Sequence, residues 1–290
     1  MKITFIKSGL KANLTPLENY SDRIGEFPVA GSFLSDLQSK RLEKYLVNTS
    51  SEVLIRTDFW PSKAMLCEID KGAIGIISDN AGSTLLEVIN GGSASSIDKD
   101  SIIINYSWDF IKINEEVILE LTESSISGTI RTGATIDGNI VLGEGSVILP
   151  GVYIEGNAII GKNCKIGPNC YIRGSTFIGD GCHIGQAVEV KNSLIMNKVS
   201  IGHLSYVGDS VIGANTNFGA GTITANLRHD GKNHRSIVNS ELIDTGRRKL
   251  GVIVGEGVHT GINTTIYPGR KIYSHASTLP GEIVKHDKLK

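Results

Sequence analysis

Along the chain from Ile130, an aliphatic residue recurs at every sixth position: Ile130, Ile136, Leu142, Ile148, Ile154, Ile160, Ile166, Ile172, Ile178, Ile184 and Val190. Six is a multiple of neither 3.6 nor 3.5, so the pattern excludes a helix and fits the hexapeptide parallel β-helix, with one short strand per repeat and a corner between strands. A second column lies four residues after the first and is small or apolar throughout: Ala134, Ile140, Ser146, Val152, Ala158, Cys164, Cys170, Thr176, Cys182, Val188 and Leu194. Both columns are predicted to point inward. Strings such as IGKNCK, IGPNCY and IGDGCH place Gly, Asn and Asp between them, residues that accept the positive φ of tight corners.

The pattern also marks where the coil changes. The interval shortens to five at Ile201 and again between Val207 and Ile212, then stops for TANLRHDGKNHRSIVNSELIDTGRRKL. It resumes at Val254, Thr260, Ile266, Ile272, Thr278 and Val284. The interruption, residues 224-249, is too polar to be a rung and is predicted to project from one corner as a substrate or partner element.

Residues 1-105 lack the six-residue period, and only eight of the 34 glycines precede residue 128. ITFI, EVLIRTDFW and AIGIIS read as buried strands. SFLSDLQSKRLEKYLV reads as a helix capped by Ser32, with Phe33, Leu34, Leu37, Leu42, Tyr45 and Leu46 on one face. A small α/β domain is expected there. Residues 106-127, containing SWDFIKINEEVILELT, space Ile111, Asn114, Ile118 and Leu121 as a linker helix, and residues 128-290 form the prism. The fold class is mainly β.

Composition narrows the function classes. With 29 basic and 30 acidic residues and a net charge of -1, the chain has no large basic surface for nucleic acid or an anionic membrane. The apolar start is broken by Lys7 before a secretory core forms, so a cytoplasmic address is expected. Cys164, Cys170 and Cys182 fall in an inward column and read as reduced core residues; no metal site is expected.

Because the prism interior is filled, chemistry must use outward residues. His203 lies two positions after Ile201, outside both inward columns, and a neutral imidazole is the usual proton acceptor near neutral pH. Arg173 and Lys191 are eighteen residues apart, one full coil, so they should stack about 4.8 Å apart on one face. Two stacked cations suit a phosphomonoester. The alternative is two solvated charges beside Glu189 and Asp180.

GHLSYVGDSVIGANTNFGAGTITAN and GRRKLGVIVGEGVHTGINTTIYPG resemble the acetyltransferase half of the bifunctional N-acetylglucosamine-1-phosphate uridyltransferases and their archaeal sugar-1-phosphate relatives, over roughly residues 128 to 285. The resemblance implies a left-handed parallel β-helix, a homotrimer whose sites are shared between prisms, and acetyl-CoA as acyl donor. It puts the general base at His203, the sugar phosphate and amine at Tyr206 and Asn217, and the phosphate at Arg173 and Lys191. Ala220, Gly221 and Thr222 would then border the pantetheine arm, and Arg247 and Arg248 would meet the phosphates of coenzyme A.

The amino-terminal stretch departs from that family. Where its nucleotidyltransferase half carries a glycine-rich phosphate loop, ITFIKSGLKANLTPL has one glycine, and Asp58 is the one recognisable metal-binding aspartate. A shortened, degenerate nucleotidyltransferase-like domain is expected. The implied activity is N-acetylation of glucosamine 1-phosphate or galactosamine 1-phosphate. A sugar-1-phosphate nucleotidyltransferase and a non-catalytic trimeric scaffold are the alternatives. A γ-type carbonic anhydrase would need three histidines, and only His183 and His203 fall at suitable positions.

Overall fold

The computed structural model describes residues 1–8 and 12–289. Gly9, the single glycine of the degenerate loop, lies outside the described residues. The chain divides into two compact units, the first comprising Met1–Asn13, Asn19–Pro28 and Ser32–Asp109, the second Leu14–Glu18, Val29–Gly31 and Phe110–Lys290.

In the first unit, five strands pair in the order Lys2–Ile6, Glu52–Arg56, Thr84–Val88, Ile74–Ser78 and Ser93–Ser96. Lys2–Ile6 runs parallel to Glu52–Arg56, whereas Thr84–Val88 is antiparallel to both its neighbours. Helices α1 (Leu34–Tyr45) and α2 (Lys63–Asp70) accompany the sheet. The core joins Leu42, Val53, Ile55, Phe59, Leu66, Ile77 and Leu86. The expected α1 cap is displaced: Ser32 sits in a short strand, Phe33 occupies the cap position without a side-chain hydrogen bond, and its ring is exposed. The buried face instead includes Gln38 and Arg41, whose polar ends reach the backbone carbonyls of Phe59 and Pro61.

The second unit is the prism. Among its described residues, the strands form three parallel sheets of eight, seven and eight members, each strand pairing with the one a full coil away. Both inward columns are in the core, from Ile140 and Leu142 to Val284, with Ile130, Ala134 and Ile136 partly buried at its open end. One position differs. Ile178 pairs with Ile195, seventeen residues on, so the first short step falls between Val190 and Ile195 rather than at Ile201. At that tighter corner Leu194 pairs with outward Phe177, and Ser193, fully buried, donates its hydroxyl to Lys191 O.

Helix α3 (Asp109–Leu119) is docked by the prism's corner residues. Asn114 Nδ2 donates to Ser175 O (2.9 Å), and Asn157 Nδ2 donates to Ile118 O and Leu121 O (3.0 Å each). Asn157 thereby caps the carboxyl end of α3, sharing Ile118 O with the Leu121 N–H (3.2 Å). Thr224 is still a buried rung residue paired within Ile223–Thr224, so the insertion begins after it. It forms a hairpin, Arg235–Val238 against Glu241–Asp244, turned by Asn239 and Ser240 at positive φ. The buried ammonium of Lys271 donates to Ile237 O in that hairpin.

Candidate functional site

The parallel register decides which outward residues meet. Arg173 pairs directly with Lys191, so the two cations occupy adjacent rungs of one face as their spacing predicts. Neither is bare. Arg173 Nε donates to Glu189 Oε1 (2.7 Å), while Lys191 Nζ donates to both oxygens of Asp209 (2.9 and 2.7 Å). Asp180, the expected neighbour, accepts instead from the backbone N–H of Lys162 (2.7 Å). The two ion pairs differ in setting: the Arg173 and Glu189 side chains are 35% and 32% exposed, those of Lys191 and Asp209 14% and 3%.

Tyr206 pairs with Glu189 on the same face, and its hydroxyl accepts from Asn226 Nδ2 (2.9 Å). Burial, helped by the charges of Asp209 and Glu189, holds its phenol above the usual tyrosine range. Beside it, Gly208 has no room for a Cβ, which would run into the Tyr206 hydroxyl and lie 2.7 Å from ring atom Cζ. Asp209 ties the arrangement together. At positive φ in the corner, its carboxylate also accepts from Asn192 Nδ2 (3.0 Å) and Asn226 Nδ2 (2.5 Å). Behind Asn226, the buried ring of His234 bonds through Nε2 to Asn226 O (3.0 Å), and burial holds its pKa below the ordinary histidine value.

His203 ends the strand Ser200–His203, exposed, at the corner that leads through Leu204 and Ser205 to Tyr206. It therefore stands at the edge of the face bearing Arg173, Lys191 and Tyr206. Asn217 is exposed on the adjoining face, paired with Ser200 and His259. Three strand positions, roughly 10 Å at 3.3 Å per residue, separate Ser200 from His203 along the strand, so one chain does not bring Asn217 up to the base.

The residues expected to border the acyl donor are largely occupied by the coil. Thr222 points inward, fully buried, its hydroxyl bonded to Gly219 O and Thr260 Oγ1 (2.7 Å each), so its side chain does not face a ligand. Gly221 N donates to His203 O (3.2 Å) and Thr222 N to Gly219 O (3.2 Å). Among the described residues, no acceptor is found for the Ala220 N–H. Arg248 is exposed, but Arg247 is bound to Glu115 of α3 through Nη2 (2.5 Å) and Nη1 (3.4 Å). That places Arg247 with the Lys191 network rather than in open solvent.

Asp209, Asn192, Asn226 and Glu115 join this network without having been named in the sequence reading, which placed Glu189 beside the cations only as a solvated charge. Asp209 and Asn226 stand in the quoted family string, whereas the role of Glu115 depends on the docking of α3, which no local spacing reveals. In the first unit, Asp58 is buried and accepts from Arg56 Nε (2.9 Å) and Nη2 (2.6 Å). Both of its oxygens are engaged by that guanidinium. No group of three or more metal-ligating side chains occurs among the described residues, and no helix there is long and apolar enough to cross a membrane.

A family model described as GMPPB C-terminal domain matches residues 154–279. A bifunctional sugar-1-phosphate nucleotidylyltransferase/acetyltransferase of Sulfurisphaera tokodaii is 45% identical over 184 residues, 63% of this chain and 46% of that protein. A bifunctional protein GlmU of Methanococcus maripaludis is 54% identical over 173 residues, 60% of this chain and 42% of that protein. A Francisella novicida UDP-N-acetylglucosamine acyltransferase structure aligns with 17% identity and a TM-score of 0.30, covering 58% of this chain and 62% of that one. The chain spans less than half the length of the two bifunctional relatives. Their likeness bears out the resemblance read in the sequence and, with it, the left-handed hexapeptide β-helix fold.

Proposed function

We propose that this chain, sharing its prism with bifunctional sugar-1-phosphate nucleotidylyltransferase/acetyltransferases, is an acetyl-CoA-dependent N-acetyltransferase acting on an amino-sugar 1-phosphate, glucosamine 1-phosphate or galactosamine 1-phosphate, in nucleotide-sugar precursor synthesis. The observation that carries this reading is the direct pairing of Arg173 with Lys191 beside Tyr206, with His203 at the adjoining corner.

A phosphomonoester brings a charge of about -1.5 to -2. Displacing Glu189 from Arg173 costs little, because a pair this exposed is worth about 0–1 kcal/mol. Lys191 stays on Asp209 and still has an N–H to offer, since an ammonium carries three donors and two are used. The phosphate thus anchors the sugar, and Tyr206 borders the ring. His203 accepts the proton as the amine nitrogen attacks the thioester carbonyl; the C–N bond forms, the C–S bond breaks, and coenzyme A leaves as the thiol. The free Ala220 N–H is the amide suited to the oxyanion that develops on that carbonyl. Asn217 would act across a homotrimer, on the site of a neighbouring copy.

The test is thiol release from acetyl-CoA with each amino-sugar 1-phosphate, comparing the intact protein with His203→Ala. The expected loss is roughly 10²- to 10⁴-fold in kcat, the usual contribution of a positioned base. A wild-type protein inert toward both acceptors would overturn the reading. A variant as active as wild type would remove His203 from the mechanism.

A further inference from the structure

Two carboxylates that belong to no expected ligand set lie behind the acceptor face, linked by one amide. Asn192 Nδ2 donates to Glu115 Oε1 (2.6 Å) on one side and to Asp209 Oδ1 (3.0 Å) on the other. Asn192 immediately follows Lys191 and turns the corner at positive φ. Glu115 also receives the Arg247 guanidinium, and both side chains are largely covered, at 26% and 18% exposure. Arg247 closes the insertion: its carbonyl accepts from His234 N (2.8 Å), and Leu250, three residues later, is back in the buried prism. The start of the insertion is Asn226, which donates both to Tyr206 Oη and to Asp209 Oδ2. Glu115 is thus the point on α3 to which the end of the insertion and the corner beside Lys191 are both tied. Its helix is itself fixed to the prism through Asn114 and Asn157.

We propose that Glu115 is a positioning residue for the acceptor site. By holding Arg247 and Asn192 it keeps the insertion closed against the prism, with Asn226 over Tyr206 and Lys191 beside Arg173. The proposal rests on the acetyltransferase reading for its effect on turnover, but the closure of the insertion is measurable without any substrate. A charged pair in a shared network couples its members, so losses at Glu115 and Arg247 should not add.

The experiment uses the full chain and four variants: Glu115→Gln, Glu115→Asp, Arg247→Gln and the double Glu115→Gln/Arg247→Gln. Trypsin cleavage after Arg228, Lys232 and Arg235, sites that all four variants keep, is followed by mass spectrometry, and KM is measured for the amino-sugar 1-phosphate and for acetyl-CoA. Glu115→Gln is expected to raise both the cleavage rate and the acceptor KM about tenfold, with the acetyl-CoA KM unchanged, and the double variant is expected to be no worse than either single one. Partial rescue by Glu115→Asp supports the proposal. Cleavage no faster than wild type overturns it whatever the kinetics, as does faster cleavage with an unchanged acceptor KM or an equal rise in both KM values. A wild-type protein that acetylates no amino-sugar phosphate overturns the acetyltransferase reading instead, and the cleavage rates alone then decide whether Glu115 holds the insertion.

Discussion

Arg173 and Lys191 look equivalent in sequence, yet their surroundings assign them different costs. Arg173 shares a partly exposed pair with Glu189, a contact of about 0–1 kcal/mol, so Arg173→Ala should weaken acceptor binding while leaving stability within about 1 kcal/mol of wild type. Lys191 neutralises a carboxylate that is 3% exposed at its side chain and otherwise bonded only to amide groups. Lys191→Ala leaves that charge buried and uncompensated, which costs about 3–5 kcal/mol. Urea denaturation of the two variants beside acceptor KM checks the contrast; equal stabilities would show that the Asp209 charge is solvated in the fold. The stacking of these cations was legible because a period of eighteen residues is one coil. Glu189 was legible beside them as well, but Asp209 was not, because it reaches Lys191 only after the chain has turned a further corner.

At the scale of elements, a strict period is legible when every rung repeats the same geometry, and it fails by one residue where a corner shortens. Leu194 is the example: six-residue counting puts it inside, but the seventeen-residue coil moves Ser193 into that place. The insertion is the opposite case, since its polarity marked it as a break without indicating the hairpin or what anchors it. His234 is one such anchor, buried, with its pKa lowered chiefly by burial and also by the charges of Arg228 and Arg270, against the opposing effects of its bond to Asn226 O and of the Asp209 charge. The folded protein therefore disfavours a protonated ring that the unfolded chain accepts near pH 6.5. As pH falls below that value the unfolded state binds more protons, and stability falls with it. The melting temperature is expected to drop between pH 7.5 and 5.5, and to drop less in His234→Gln. The variant should still show some loss, because half-buried His183, lowered by burial and by Lys165 and His203, acts in the same direction. An identical drop in both proteins would show that His234 already exchanges protons with solvent in the fold.

For the whole molecule, composition and periodicity place a boundary near residue 105, and contacts place it differently. Leu14–Glu18 and Val29–Gly31 belong with the prism although they precede the boundary by some ninety and seventy-five residues. Leu14, Leu17 and Val29 are buried, Pro16 O accepts from Ser274 Oγ (3.3 Å), and a Cβ added at Gly31 would lie 3.3 Å from Ile159 Cγ2. Such an assignment is invisible to a pattern search, because two short apolar segments look the same whichever core receives them. It has a consequence for truncation. A chain beginning at residue 106 keeps every residue proposed for acetyl transfer, the insertion and α3, so site residues alone predict full activity. It also strips the prism of two apolar segments, and apolar surface returned to water costs roughly 25 cal/mol per Å² and invites association. The truncated chain is therefore expected to retain thiol-releasing activity per folded molecule, but to melt at a lower temperature and to self-associate on size-exclusion chromatography. A truncated chain with the same melting temperature and elution behaviour as the full one would show that the early segments contribute nothing to the prism, and that the boundary read from the repeats is the physical one.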